Sequence, residues 1–215
     1  MSSKMQVLFV KQTGHVLAAF TRTADPEGAP NITDLIGSGL LVRNTTTLAA
    51  PSPGGEILVV PPEPLNVAVV DYDPDVFISP LDFVAGGGRV SKLGPNVADL
   101  ALSTDPIPPP PPPQAPTESP PLVHFSTQRV TVQLDGDATD DKGVCVVLQE
   151  AQPLPGNEPE RRVAHGSIKS GTHFVSLDLK ATPDGPVVSI DSKDFFIMAL
   201  IAGYRPLFGM RLPAP

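Results

Sequence analysis

Residues 105–121 read DPIPPPPPPQAPTESPP, and this stretch divides the sequence into two parts of similar length. Each proline fixes φ at about −65° and lacks a backbone N–H donor, so neither a helix interior nor a central strand can contain the run. The stretch therefore predicts an extended polyproline II segment. We expect an N-terminal module over residues 1–104, a proline-rich spacer over 105–121, and a C-terminal module over 122–215 that ends in a proline-containing arm.

Both modules have the pattern of β-rich domains. Short apolar, β-branched runs alternate with turns rich in Gly and Pro, at the spacing typical of an all-β sandwich or barrel. The predicted strands are 6–10, 15–21, 40–43, 57–60, 67–71 and 76–79, followed by 128–134, 143–149, 162–168, 173–179, 186–190 and 195–201. We expect a mainly β protein: two small β-sandwich or β-barrel-like modules joined by a polyproline II spacer, with one or two short helices.

Turn chemistry suggests how these strands connect. The polar loops after residues 10, 134 and 168 predict three β-hairpins. Residues 33–36 predict a single helical turn. Ser79 before Pro80 is a helix-start signal, because a hydroxyl can cap the helix and proline suits its first position. The glycines at 86–88 should end that helix, and residues 95–102 predict another short helix.

The charge and hydropathy of the chain limit its partners and location. The net charge is −8, and no segment has the basic excess of a nucleic-acid binder or of a protein that binds anionic membranes. The longest apolar run, residues 195–202, is far shorter than a membrane span, and the first apolar run is too short for a signal peptide. We expect a soluble protein of the cytoplasm, or part of a particle assembled there, with no nucleic-acid or membrane partner.

The sequence contains no recognised catalytic motif. Cys145 is the only cysteine and lies among valines, which favours a buried hydrophobic role. The histidines show neither HExxH nor HxH spacing, and no GxSxG, GxGxxG or P-loop pattern occurs. His165 and His173 flank a predicted hairpin, but two imidazoles without a third ligand make a weak metal site. We therefore expect a protein that is not an enzyme and that needs no cofactor.

Two acidic segments could hold a cation. The loop DGDATDD at 135–141 alternates oxygen ligands as calcium sites do, but Val146 occupies the position where an EF-hand loop has a bidentate Glu. A solvated hairpin tip is the favoured interpretation. The segment DYDPD at 71–75 places three carboxylates on one side of an extended chain, which suits either a metal or a loop screened by water. The candidate metal ligands are Asp135, Asp137 and Asp141.

The spacer and the C-terminal arm are candidate protein-binding elements. A polyproline II helix is preformed and can dock in aromatic-lined grooves, although a ruler that separates the modules is the interpretation we favour. The arm has large apolar side chains that a neighbouring subunit could cover. The candidate protein-binding residues are Pro108, Pro110, Pro113, Tyr204, Leu207 and Phe208.

These features favour a non-enzymatic structural or adaptor subunit of a larger protein assembly, such as a phage-tail-like or capsid-like particle. Such a subunit would act through its β modules and extended arms and would bind other protein subunits in homo- or hetero-oligomers. The alternative is a ligand-binding β-domain protein for a metal ion, a glycan or a peptide. The lack of Trp and the presence of only two Tyr disfavour stacking on a glycan.

Overall fold

The computed structural model describes residues 4–21, 31–43, 57–95, 97–103, 122–126, 128–153, 156–180 and 193–211. Strands dominate this part of the chain, and they fall into two compact units, Met1–Val97 and Ala98–Pro215. The prediction of a mainly β protein with one or two short helices is therefore confirmed, and the described residues contain two short α-helices. Among the described strands, no sheet closes into a barrel.

The first unit is built on a three-stranded antiparallel sheet with the order β2-β1-β5. Its strands are β1 (Lys4–Val10), β2 (Val16–Thr21) and β5 (Leu65–Asp71). Two antiparallel ribbons accompany this sheet: β3 (Leu40–Arg43) with β4 (Ile57–Val60), and β6 (Phe83–Gly86) with β7 (Arg89–Lys92). The pairing of β1 with β2 confirms the first predicted hairpin.

The β1–β2 turn depends on a glycine. Gly14 has φ 76°, a left-handed conformation that side-chain-bearing residues rarely adopt. Its carbonyl accepts a hydrogen bond of 2.7 Å from the amide of Ala85 in β6. A Cβ atom at Gly14 would lie 3.0 Å from the Ala85 carbonyl oxygen. The turn therefore needs glycine both for its backbone angle and for its close contact with β6.

The two helices are short and each has a side-chain cap. Helix α1 (Ile32–Ile36) begins after Asn31, whose side chain accepts from the Thr33 amide, and it confirms the predicted helical turn. Helix α2 (Pro74–Ile78) begins after Asp73, which accepts from the Asp75 amide at 3.0 Å. The prediction of a strand at 76–79 is wrong, because this cap and the proline at the first helical position start a helix instead.

The segment after α2 also differs from the prediction. The helix expected at Ser79 is a single 3₁₀ turn, Pro80–Asp82, and β6 begins directly after it. Gly87 and Gly88, with φ of 57° and 75°, form the turn between β6 and β7 rather than the end of a helix. Consecutive residues with positive φ are typical of tight hairpin turns, which explains the preference for glycine here.

The second unit contains two four-stranded sheets. The first sheet has the order β13-β10-β9-β8, and the second has the order β12-β11-β14-β15. The strands of the first are β8 (Ala101–Ser103), β9 (Leu122–Phe125), β10 (Arg129–Gln133) and β13 (Phe174–Asp178). Those of the second are β11 (Lys142–Glu150), β12 (Arg161–Ile168), β14 (Phe195–Ile201) and β15 (Leu207–Arg211).

The core of the second unit lies between these two sheets. One cluster joins Val123, Val130 and Val132 of the first sheet to Val146 and Ile197 of the second. The arrangement is that of a β-sandwich, in which alternate residues of each strand face the core. On the other face of the second sheet, residues such as Cys145 and Met198 are also fully buried. That sheet is therefore buried on both of its faces.

The two hairpins predicted in this unit are wrong. Strands β10 and β11 belong to different sheets, and so do β12 and β13. Their connecting loops pass from one sheet of the sandwich to the other. Strand β10 pairs instead with β9 and β13, and β12 pairs with β11. Residues 186–190 lie outside the described residues, so that predicted strand stays a prediction.

The residues that flank the proline-rich segment lie in one sheet. Strands β8 and β9 are parallel neighbours, with Ser103 facing His124 and Ala101 facing Leu122. The strands on either side of residues 105–121 therefore both belong to the second unit. The predicted division into modules 1–104 and 122–215 with a spacer between them stays a prediction. The segment itself, with Pro108, Pro110 and Pro113, lies outside the described residues. The helix expected at 95–102 is not formed in the described residues, where β8 begins at Ala101.

Candidate functional site

The acidic loop at 135–141 forms one tip of the sandwich in the second unit. It follows β10 and lies against the turn that joins β12 to β13. The amide of Ala138 donates to the Thr172 carbonyl, and the amide of Gly171 donates to the Ala138 carbonyl, each at 2.8 Å. These backbone hydrogen bonds fix the loop against the turn, so its carboxylates have defined neighbours.

Two of the carboxylates in this loop are paired with lysines. Asp141 lies 2.6 Å from the Lys169 ammonium and also accepts from the Ser170 amide at 3.0 Å. The hydrogen bond from Lys169, followed by that from Ser170, lowers the pKa of Asp141. A hydrogen bond from Lys142, followed by one from Thr139, likewise lowers the pKa of Asp140. Both carboxylates therefore already have a cationic partner within the protein.

The predicted metal ligands do not gather into one group. Asp137 faces the Nδ1 atom of His173 at 3.1 Å, whereas Asp141 faces Lys169. Within the described ranges, no cluster of three or more His, Cys, Asp or Glu side chains could hold a metal ion. Asp135 is exposed at the start of the loop. The arrangement is that of a loop between the two sheets, held by hydrogen bonds and ion pairs.

An aromatic ring stands beside this tip. Alternate residues of β13, Val175 and Leu177, pack against the core, so Phe174, Ser176 and Asp178 point outward. Phe174 is 54% exposed, although a solvent-facing strand position normally carries a polar residue. The ring centroids of His173 and Phe174 are 5.4 Å apart in an edge-on arrangement. The tip therefore presents an aromatic surface next to a carboxylate.

The rest of this sheet face carries polar side chains. Thr131 donates to Ser176 at 3.1 Å, and the Nε atom of Arg129 lies 2.7 Å from the Asp178 carboxylate. His124 faces Thr131 across the strand pair and is only 2% exposed. Neither ring nitrogen of His124 has a hydrogen-bond partner among the residues that the structure describes. Buried polar atoms without partners are rare, because each one left unsatisfied costs about 1–3 kcal/mol.

A network of charges lies at one end of the second sheet. Arg162 is 4% exposed, forms an ion pair with Glu160 and donates to the Arg161 carbonyl at 3.1 Å. Lys193 contacts Glu160 at 2.7 Å and Glu150 at 3.1 Å. Burial lowers the pKa of Arg162, which shows that its charge is poorly solvated. The sequence analysis missed this network because its members come from three separate strands or strand ends.

In the first unit, the carboxylates of the acidic segment 71–75 have different structural roles. Asp71 pairs with Lys4 at 2.7 Å, and Asp73 caps α2. The three carboxylates therefore do not face one side, because Pro74 ends the extended chain on which that prediction depended. Asp75 is exposed on the first turn of α2, three residues before Ile78.

Apolar side chains are exposed around α2. Ile78 is 79% exposed, the largest value among the described large hydrophobic residues. Tyr72 is 48% exposed, and its ring lies 5.6 Å from that of Phe77. Residues three apart on a helix share a face, so Asp75 and Ile78 lie next to each other. We call Tyr72, Asp75, Phe77 and Ile78 the α2 surface; it combines an aromatic pair, an aliphatic side chain and a carboxylate.

The remaining candidate residues have structural surroundings. Cys145 is buried, as the sequence predicts, and burial raises the pKa of its thiol to about 12. His165 and His173 lie in or beside strands of different sheets and do not face each other across a hairpin. In the arm, β15 pairs with β14, and Tyr204 and Leu207 pack against the core. Phe208 is half-buried in the same strand. The described part of the arm is thus the edge strand of its own sheet.

No protein-family model, curated protein or solved structure matches this chain. None of the helices in the described part of the chain has the length and apolar content that crossing a bilayer requires.

Proposed function

We propose that the chain is a structural or adaptor subunit of a larger protein assembly, of a phage-tail-like or capsid-like kind. In this proposal it acts by binding other protein subunits rather than by catalysis, in the cytoplasm or in a particle assembled there. The observation that carries the proposal is the α2 surface of the first unit. A β framework that displays such surfaces is suited to holding partners in fixed positions.

The composition of the α2 surface supports a protein partner. Aromatic residues, Tyr in particular, are enriched at the centres of protein interfaces, where they bury a large area at a low entropic cost. A neighbouring subunit could remove the exposed parts of Tyr72 and Ile78 from water. The side-chain cap of Asp73 and the fixed φ of Pro74 hold the start of α2 in place. Binding would therefore require little ordering of the backbone.

The proposal is tested by native purification of the tagged full chain from its source, with quantitative mass spectrometry. The wild type is compared with a Tyr72→Ser, Ile78→Ser variant. Leu41→Ser is the matched control, because Leu41 is also an exposed hydrophobic residue of the first unit, at 68%. Circular dichroism shows whether each variant folds.

We expect several proteins to co-purify at fixed stoichiometry with the wild type and with Leu41→Ser, and to be lost from the double variant. A wild-type chain that purifies alone would contradict the assembly role. Partners that remain bound to the folded double variant would show that the α2 surface does not hold them.

A further inference from the structure

We propose that the tip of the second unit binds an arginine side chain of a partner protein. The site consists of Phe174, His173 and Asp137, which we call the Phe174 surface. This surface is separate from the α2 surface on which the proposed function rests, so either one can fail alone. It therefore adds a second interface with a defined chemical preference.

The position of Phe174 argues for a bound partner. In β13 the sequence FVSLD alternates so that Val175 and Leu177 supply the core, and Ser176 and Asp178 take outward positions. Phe174 takes the third outward position, yet it is large and apolar, and 54% of it is exposed. Its ring contacts the ring of His173. The rest of the Phe174 ring faces solvent, where a partner protein could cover it. A planar cation can stack on such a ring, because the face of an aromatic ring is electrostatically negative.

The charges at the tip select a cationic partner. Asp140 and Asp141 have lysine partners at 2.6 Å, but Asp137 faces only the imidazole of His173 among the described residues. An imidazole is not a permanent cation, so Asp137 lacks the fixed positive partner that Asp140 and Asp141 have. Asp135 adds a second exposed carboxylate two residues earlier. The tip therefore has an excess of negative charge beside His173, the residue whose ring contacts Phe174.

Arginine fits this combination better than lysine or a neutral residue does. Its planar guanidinium can stack on the ring of Phe174 and at the same time donate two hydrogen bonds to one carboxylate. The ammonium of lysine is more strongly hydrated and lacks a plane that could stack. A neutral apolar side chain could cover the ring but would leave the Asp137 carboxylate without a partner.

The test is a ¹H–¹⁵N and ¹H–¹³C NMR titration of the full chain with Nα-acetyl-arginine amide. Nα-acetyl-citrulline amide is the matched control ligand, because it has nearly the same shape but no charge. The variants are Phe174→Leu and Asp137→Asn, and Asp82→Asn is the control for the loss of an exposed carboxylate elsewhere. All three positions are exposed, and the spectra themselves show whether each variant folds.

We expect the arginine compound to shift the signals of Phe174, His173 and Asp137, with binding roughly tenfold weaker for citrulline and for Asp137→Asn. Phe174→Leu should abolish the shifts, and Asp82→Asn should leave them unchanged. Equal shifts from both compounds, or full binding by Phe174→Leu, would overturn the proposal. It would also be overturned if these signals moved with protein concentration alone, because the occupant would then be a second copy of this chain.

Discussion

Replacing Glu160 by Gln should destabilise the second unit markedly. The substitution removes the charge that faces Arg162, a residue that is 4% exposed, and keeps the shape of the side chain. Removing one partner of a buried ion pair costs about 3–5 kcal/mol, because the other charge is left uncompensated. Glu160 is itself 24% exposed and Arg162 retains its bond to the Arg161 carbonyl, so we place the cost at or just below the lower limit of that range, at about 2–3 kcal/mol.

The two tyrosines allow each unit to be followed separately. The chain has no Trp, and its only tyrosines are Tyr72 in the first unit and Tyr204 in the second. Tyr204 packs against the core of the sandwich. In a Tyr72→Phe background, tyrosine fluorescence during urea unfolding therefore reports on the second unit alone. For a unit of this size, the loss in free energy of unfolding that we expect for Glu160→Gln corresponds to a decrease in Tm of about 10 °C.

Two further variants distinguish the effect of leaving a buried charge unpaired from the effect of removing a charge alone. Glu158→Gln removes the same charge at an exposed position two residues away, and we expect it to change the free energy of unfolding by less than about 0.5 kcal/mol. Combining Glu160→Gln with Arg162→Met should recover much of the lost stability, because no unpaired charge stays buried. If Glu160→Gln cost no more than Glu158→Gln, or if the double variant were the least stable, the reasoning would be refuted.

Three other outcomes can be measured. Because the lowered pKa of Asp141 is due first to Lys169, Lys169→Gln should raise that pKa toward 3.8 in an NMR titration. The loss of stability caused by Lys169→Gln should be largest above pH 3.8 and should decrease to zero as the pH falls from 3.8 through the lower pKa of Asp141 in the folded state. His124→Leu should leave the free energy of unfolding unchanged or raise it by up to about 1 kcal/mol, because it removes two unsatisfied nitrogens; a loss measured by urea unfolding would contradict this. Inserting three prolines into 108–113 should not change the energy-transfer distance between a fluorophore on each unit, whereas a rod between the units would lengthen it by about 9 Å.

Individual strands were predictable because their signal is local. The run FFIMALI has the length and composition of a buried strand, and the structure places β14 at Phe195–Ile201. Residues 40–43 and 57–60 likewise appear with the predicted bounds. In each case the side chains of the strand and the turn residues beside it determine both type and bounds. No information about distant parts of the chain was needed.

The pairing of strands was not predictable in the same way. The loop DGDATDD is as compatible with a turn between sheets as with a hairpin, since its residues favour turns of either kind. The choice depends on the core: β10 pairs with β9 and β13, and its valines then face those of β11 across the sandwich. A local pattern shows that a strand has an apolar face but does not show which strand lies beside it.

The candidate sites show the same division. The outward position of Phe174 had a signal in the sequence, because Ser176 and Asp178 mark the solvent side of β13 and Phe174 has the same parity. The contact between Asp137 and His173 had no such signal, since it depends on how two loops meet. The network around Arg162 is equally non-local, because Lys193 lies more than thirty residues after Glu160.

The proline-rich segment shows why composition alone does not establish a role. Ser103 faces His124 in adjacent parallel strands, so Ser103 and Leu122 are offset by two residues and lie about 8 Å apart. A fully extended chain between them could reach about 60 Å. The distance between Ser103 and Leu122 is therefore far shorter than the extended length of the chain that joins them. The chain passes from the first unit to the second before β8 begins. The described strands on either side of the segment therefore require no spacer of that length between them, and the ruler interpretation stays a prediction.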